Sequence, residues 1–194
     1  MGTPRASAIS GVTFAAGVPT VWQMLLGHLG ANNLRFNYLK RTVIGGSACP
    51  LSMIEAFRDR HGVKVLHAWG MTEMSPLGTL NADTPESAEL TGAARSEQLL
   101  SQGRALPGVE LKITDEENRE LPWDGQQVGA LKVRGLWVCR DYYRLDGQGG
   151  AHEPDGWFVT GDICSIDPNG FMRITDRAKD VIKSGGEWIS SIDL

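Results

Sequence analysis

The chain has 194 residues, 41% hydrophobic and 22% charged, enough apolar material for one substantial core, or for one domain and part of another. Its formal net charge of −4 argues against the cationic surface that nucleic-acid backbones or anionic lipids require, leaving small molecules as the favoured partners. No apolar run approaches a membrane span, and the opening MGTPRASAIS lacks the apolar core of a secretory signal. Cys49, Cys139 and Cys164 are three, widely spaced, with no CxxC pair, so a zinc site or disulfide framework is not expected and a reducing, cytoplasmic setting fits best. The 24 glycines exceed the usual share of about 7% and gather in pairs at 45–46, 149–150 and 185–186, which marks tight turns or backbone approached closely by a ligand.

In chain order, Pro19 stands where a first helical turn accepts proline, and Val21, Leu25 and Leu29 recur at helical spacing before Gly30. A short apolar strand is expected at Thr42–Ile44, and a second helix over PLSMIEAFRDRHG with Met53, Ile54 and Phe57 inward and Gly62 as its stop. Val63–Leu66 reads as another strand opening into a loop. Strand, helix and strand in succession define a βαβ unit whose strands run parallel. After a polar stretch rich in turn formers, NADTPESAELTGAARSEQ, the pattern changes: VELKI, VGALKVRG, GWFV and GFMRI are short strand-like runs separated by turns. The expected fold class is therefore α/β, a partial parallel α/β subdomain over 1–90 followed by an antiparallel β subdomain over 91–175, with 176–194 forming a hinge and the hairpin that begins a further domain.

Ligands of parallel α/β sheets gather beyond the carboxyl ends of the strands, where GGSACP and HAWGMTEMSP fall. Gly46, Ser47 and Ala48 are small enough for a flat ring to lie against the main chain. Trp69 offers a ring face, Thr72 a hydroxyl and Glu73 a carboxylate, groups suited to a base, a phosphate and a magnesium ion. The same residues also fit a core tryptophan and a solvated loop acid. In GWFVTGD, Asp162 ends a strand and could accept hydrogen bonds from a ribose diol, although an aspartate there is as readily a turn former. Arg177, Lys179 and Lys183 add cations, and VIK and WIS around SGGE suggest a hairpin that brings Lys183 near Trp188; a charged surface hairpin is the alternative.

In this order, HAWGMTEMSP, GALKVRG with DYY, GWFVTGD and DRAKDVIKSGGEW resemble the motifs of the adenylate-forming superfamily, and KDVIKSGGEWISSIDL is similar to its medium- and long-chain fatty-acyl-CoA ligases. The resemblance implies that Ser47, Ala48 and Cys49 line an adenine pocket, with Trp69 stacking on the base. It implies that Thr72 touches phosphate, Glu73 holds Mg2+, and Asp162 binds the ribose hydroxyls with help from Arg177. Lys179 would be the hinge between a large and a small domain, Lys183 would reach the adenylate, and Trp188 would help gate an acyl tunnel. ATP, Mg2+, CoA and a fatty acid are the implied substrates and cofactors. The resemblance also implies a phosphate loop upstream and a second catalytic lysine downstream, neither of which this sequence contains. The chain is thus expected to be a fragment, with exposed core faces that favour self-association, and a nucleotide- or acyl-binding remnant without turnover is the second functional class.

Overall fold

The computed structural model describes residues 11–143 and 152–177, together with the backbone of two short strands between 182 and 189. Two compact units emerge, one formed by residues up to Trp69 with Asn81–Leu100, the other by Gly70–Leu80 with the residues from Ser101 onward.

The first unit is parallel α/β. Strand β1 (Phe14–Gly17) pairs in parallel with β2 (Arg41–Ile44), and β2 in parallel with β3 (Lys64–Gly70). Helix α1 (Pro19–Ala31) crosses from β1 to β2; it starts with proline at N1, and Asn32 caps its end by donating to the His28 carbonyl at 2.8 Å. Its buried face is Trp22 and Leu29 with Leu25 and Leu26 against the core, whereas Val21 is half exposed. The stripe expected through Val21 is thus displaced by one position, because α1 is apolar on several sides and its inward face is chosen by the bulk of Trp22. Helix α2 (Leu51–Glu55) passes into a π-helical turn, Ala56–Arg60, that ends at Gly62 with φ +64°. Met53, Ile54 and Phe57 are buried as their spacing requires, and Phe57 meets the Trp22 ring edge-on at 5.3 Å and stacks on Phe36 at 5.9 Å.

Three expectations change here. Strand β1 goes unforeseen, since FAAG is too short and small to show alternation. Strand β3 runs to Gly70, so Trp69 lies in a strand and not in the loop after it. The stretch read as turn-rich contains two helices, α3 (Pro85–Ala88), which starts with a reciprocal Thr84–Ser87 capping box, and α4 (Gly92–Leu100). These helices are mostly exposed, which is why their sequence carries so little apolar signal.

The second unit is antiparallel β. Strand β4 (Leu77–Leu80) pairs with β5 (Arg104–Ala105). A four-stranded meander follows: β6 (Val109–Thr114), β7 (Gly129–Gly135), β8 (Phe158–Ile166) and β9 (Met172–Arg177). Leu111, Ile113, Leu131, Val133, Phe158, Ile163, Ile166 and Met172 supply its core, alternating along β6 and β7 and broken in register along β8, where irregularities fall on both sides of Ile163. Strands β10 (Ile182–Ser184) and β11 (Glu187–Ile189) pair antiparallel with Lys183 opposite Trp188, the hairpin expected from VIK and WIS. Among the described residues no helix is long and apolar enough to cross a membrane.

Candidate functional site

The candidate residues divide between the two units. In the first, β2 ends at Ile44 and the chain turns through Gly45 and Gly46. A side chain at Gly45 would come within 2.9 Å of the Ala68 carbonyl, so the loop leaves β2 against the backbone of β3 at a point only glycine tolerates. Ser47 and Ala48 are exposed on this loop. Cys49 is turned into the core and only 1% exposed, and burial pushes its thiol pKa up to about 12. Its sulfur is therefore turned away from any ligand of the loop. Trp69, next to last in β3, is buried.

In the second unit, Thr72 and Glu73 lie on one turn of 3-10 helix, Thr72–Met74, which Met74 anchors by full burial. Thr72 is exposed and Glu73 half-buried, so hydroxyl and carboxylate are both presented at the surface of the turn. The turn is tied to a segment far along the chain. Cys139 N–H donates to the Glu73 carbonyl at 2.6 Å, Ser75 Oγ donates to the Trp137 carbonyl at 3.3 Å, and Trp137 Nε1 donates to the Leu77 carbonyl at 3.0 Å. Tyr142 completes the set, its hydroxyl donating to Glu73 Oε1 at 2.8 Å. That hydrogen bond, with burial second, pushes the Tyr142 phenol up to about 12.

Asp162 departs from the expected position at a strand end, because β8 continues through TGD to Ile166. A bulge explains the break in pattern. Ala130 faces Ile163 and Lys132 faces Val159, so residues 160–162 stand opposite Leu131 alone. Gly161 takes φ +78°, Thr160 Oγ1 donates to the Leu131 carbonyl at 2.9 Å, and Asp162 N–H donates back to Thr160 Oγ1 at 3.1 Å. The irregularity fixes the Asp162 carboxylate at 6% exposure, opposite Arg177 of β9, whose Nε lies 3.2 Å from Oδ1.

The structure thus joins Ser47, Ala48 and Cys49 on one loop, Thr72 with Glu73 on one turn, and Asp162 with Arg177 across one strand pair. The backbones of Lys183 and Trp188 face each other, while their side chains and Lys179 lie outside the described residues. Among the described residues no three His, Cys, Asp or Glu side chains gather as a metal cage. A magnesium ion needs no such cage, since it is commonly held by one or two carboxylates together with substrate phosphates, and Glu73 on its surface turn fits that role. Tyr142 and Trp137 escaped the sequence reading; DYY is visible as a motif, but nothing local links it to a glutamate 69 residues earlier.

One unit is thus parallel α/β with a glycine loop at a strand end, and the other is a β meander carrying a buried aspartate beside an arginine. The chain belongs to the AMP-binding enzyme family, whose model matches residues 5–143. It is 52% identical over 184 residues to a 3-methylmercaptopropionyl-CoA ligase of Ruegeria lacuscaerulensis, covering 95% of this chain and 34% of that protein. It is 51% identical over 187 residues to a medium-chain-fatty-acid–CoA ligase of Ectopseudomonas oleovorans, covering 96% and 34%. Among solved structures, the O-succinylbenzoate coenzyme A synthetase of Bacillus subtilis in complex with ATP and magnesium ion superposes with a TM-score of 0.77 at 28% identity, covering 96% of this chain and 36% of that one. The chain spans about a third of the length of the curated relatives it matches.

Proposed function

We propose that this chain belongs to a ligase that uses ATP to convert a fatty acid of medium or long chain into an acyl-adenylate and then transfers the acyl group to the thiol of CoA. The observation that carries the reading is the composition of the second unit: a tethered turn presenting Thr72 and Glu73, and a bulged strand pair presenting Asp162 beside Arg177. Family membership and the names of the similar CoA ligases support it. The fatty-acid branch is supported by the sequence KSGGEWISS and by the medium-chain ligase among the relatives.

In this reading the acid's carboxylate oxygen attacks the α-phosphorus of ATP as pyrophosphate departs, and the CoA thiol then displaces AMP from the acyl carbon. No protein nucleophile is needed, so catalysis consists of alignment and of neutralising developing charge. Thr72 would donate its hydroxyl to a phosphate oxygen. Glu73 would hold the magnesium ion, which when bound offsets the charge of the phosphates. Asp162 would accept hydrogen bonds from the ribose hydroxyls while Arg177 orients it. Ser47, Ala48 and the Cys49 main chain, with Trp69, would form the bed for adenine, and Lys183 would approach the adenylate. Lys179 would be the pivot on which the groups for the two half-reactions exchange.

A second reading is nucleotide or acyl binding without turnover. One experiment separates the two. Calorimetric titration with AMP and with a stable acyl-adenylate mimic measures binding, while ATP–pyrophosphate exchange and thioester formation, run with octanoate, palmitate, 3-methylmercaptopropionate and an aryl acid, measure turnover and chain preference. Binding with thioester formation supports the ligase reading, and binding alone supports the second. Failure to bind either AMP or the mimic overturns both.

A further inference from the structure

Glu73 is gripped twice by one short segment. Its carbonyl accepts from Cys139 N–H at 2.6 Å and its carboxylate Oε1 accepts from the Tyr142 hydroxyl at 2.8 Å, while two further bonds, Ser75 Oγ to Trp137 O and Trp137 Nε1 to Leu77 O, fasten the rest of the 73–77 turn to the same segment. The grip on the main chain fixes where the residue sits. The grip on Oε1 fixes how its carboxylate is rotated, because a glutamate side chain otherwise has three free torsions and loses that rotamer freedom when ordered. Tyr142 is well suited to this. Its ring is half-buried, with only two torsions to settle, and its hydroxyl is both donor and acceptor.

The choice of oxygen matters. The bond occupies Oε1, and among the described residues no partner engages Oε2. A carboxylate held by one oxygen and open at the other is the arrangement by which an outer residue orients a ligand for a cation without competing for it. Resting on the reading that Glu73 holds the cation of the metal–nucleotide complex, we infer that Tyr142 is a positioning residue that presents Glu73 Oε2 to that cation. The segment 137–142 then acts as a clamp for the metal-bearing turn, on the same unit of the fold. Tyr143, next in sequence and 85% exposed, serves as the internal comparison.

The test is a double-mutant cycle read by calorimetry on the whole chain, with AMP without metal and with ATP in the presence and absence of Mn2+. Tyr142→Phe removes one hydroxyl from a half-exposed ring, so the fold is expected to persist, which the thermal midpoint checks. It should leave metal-free AMP affinity unchanged and reduce the Mn2+-dependent gain in ATP affinity by about tenfold, the lower end of what outer-shell changes cost. Glu73→Gln should remove the gain, Tyr142→Phe should add nothing in the Glu73→Gln background, and Tyr143→Phe should match wild type. A wild type that gains from Mn2+ while Tyr142→Phe gains equally overturns this inference and leaves the proposed function standing. Equal losses of AMP affinity and of the metal gain in Tyr142→Phe also overturn it, since that pattern marks a structural role. A wild type indifferent to metal overturns the assignment of Glu73 and the inference together.

Discussion

Asp162 and Arg177 face each other across β8 and β9, Nε to Oδ1 at 3.2 Å, yet their surroundings differ sharply: the aspartate side chain is 8% exposed and the arginine side chain 66%. An ion pair with one member in solvent contributes little to stability, about 0–1 kcal/mol. In the proposed function the Asp162 oxygens accept hydrogen bonds from a ribose, and the exposed Arg177 orients them.

Stability and affinity should therefore separate in variants of this pair. Arg177→Ala is expected to shift the urea midpoint by the equivalent of at most about 1 kcal/mol. Asp162→Asn is expected to weaken AMP binding at least about tenfold, the loss of a hydrogen bond to a charged group being worth about 1.5–3 kcal/mol. Calorimetry and urea unfolding on the same preparations check both. Unchanged AMP affinity in Asp162→Asn would remove the ribose role.

Asp83 in the first unit predicts a pH dependence. It accepts from Lys64 Nζ at 2.7 Å and from Arg95 Nη1 at 2.8 Å, and these partners, Arg95 first, hold its carboxyl below the usual carboxylate range. A depressed folded pKa means that the stabilisation is fully present above the unfolded value, about 3.9, and is lost as pH falls through the folded value. Asp83→Asn should cost about 1–2 kcal/mol at pH 7, discounted for partial exposure. The gap between variant and wild type in urea should then narrow from pH 4 downward. A gap that stays constant from pH 7 to pH 3 would show that the charge on Asp83 contributes nothing.

How much of this was legible in the sequence follows from where each signal lies. Helix α2, the β2–β3 pair and the strands of the meander announce themselves by apolar spacing over a few residues, and Thr72 and Glu73 are neighbours in the chain. Strand β8 was cut short because Thr160–Gly161 looks like a turn, and a bulge with a left-handed glycine does look like one until the partner strand is seen to continue past it. Helix α4 gives no such apolar spacing, because its one buried residue, Gln98, is polar and Leu99, which packs on the core, stands alone as an inward apolar side chain. The Tyr142–Glu73 bond joins positions 69 apart, and nothing near either residue encodes it.

The cysteines should label in order of burial. Cys49 and Cys164 are 1% and 0% exposed, and burial raises both thiols, whereas Cys139 is only partly covered. Brief iodoacetamide treatment of the native chain at pH 8, read by peptide mass spectrometry, should modify Cys139 first and leave the other two until urea is added. Rapid native labelling of Cys49 would mean that the loop carrying Ser47 and Ala48 opens freely.

Gly70 is the point at which the turn carrying Thr72 and Glu73 can be displaced without touching any side chain in it. It ends β3, and a Cβ there would overlap the Pro76 carbonyl oxygen and sit 2.8 Å from Leu77 Cα. Both are backbone atoms and cannot swing aside as a side chain does, so Gly70→Ala must move the 71–77 segment, including Thr72, Glu73 and the Leu77 carbonyl that accepts from Trp137. The overpacking should cost about 1–3 kcal/mol. It should also weaken metal-dependent ATP binding more than metal-free AMP binding, because Glu73, the proposed metal ligand, is displaced while Asp162 is not. Gly27→Ala is the matched control. It lies inside α1 with open space where its Cβ would be, and alanine there should stabilise by about 0.5–1 kcal/mol without changing affinity. If Gly70→Ala unfolds and binds like wild type, the close return of Pro76 over the strand end is not what fixes the turn, and the tethers from Trp137 and Cys139 alone must hold it.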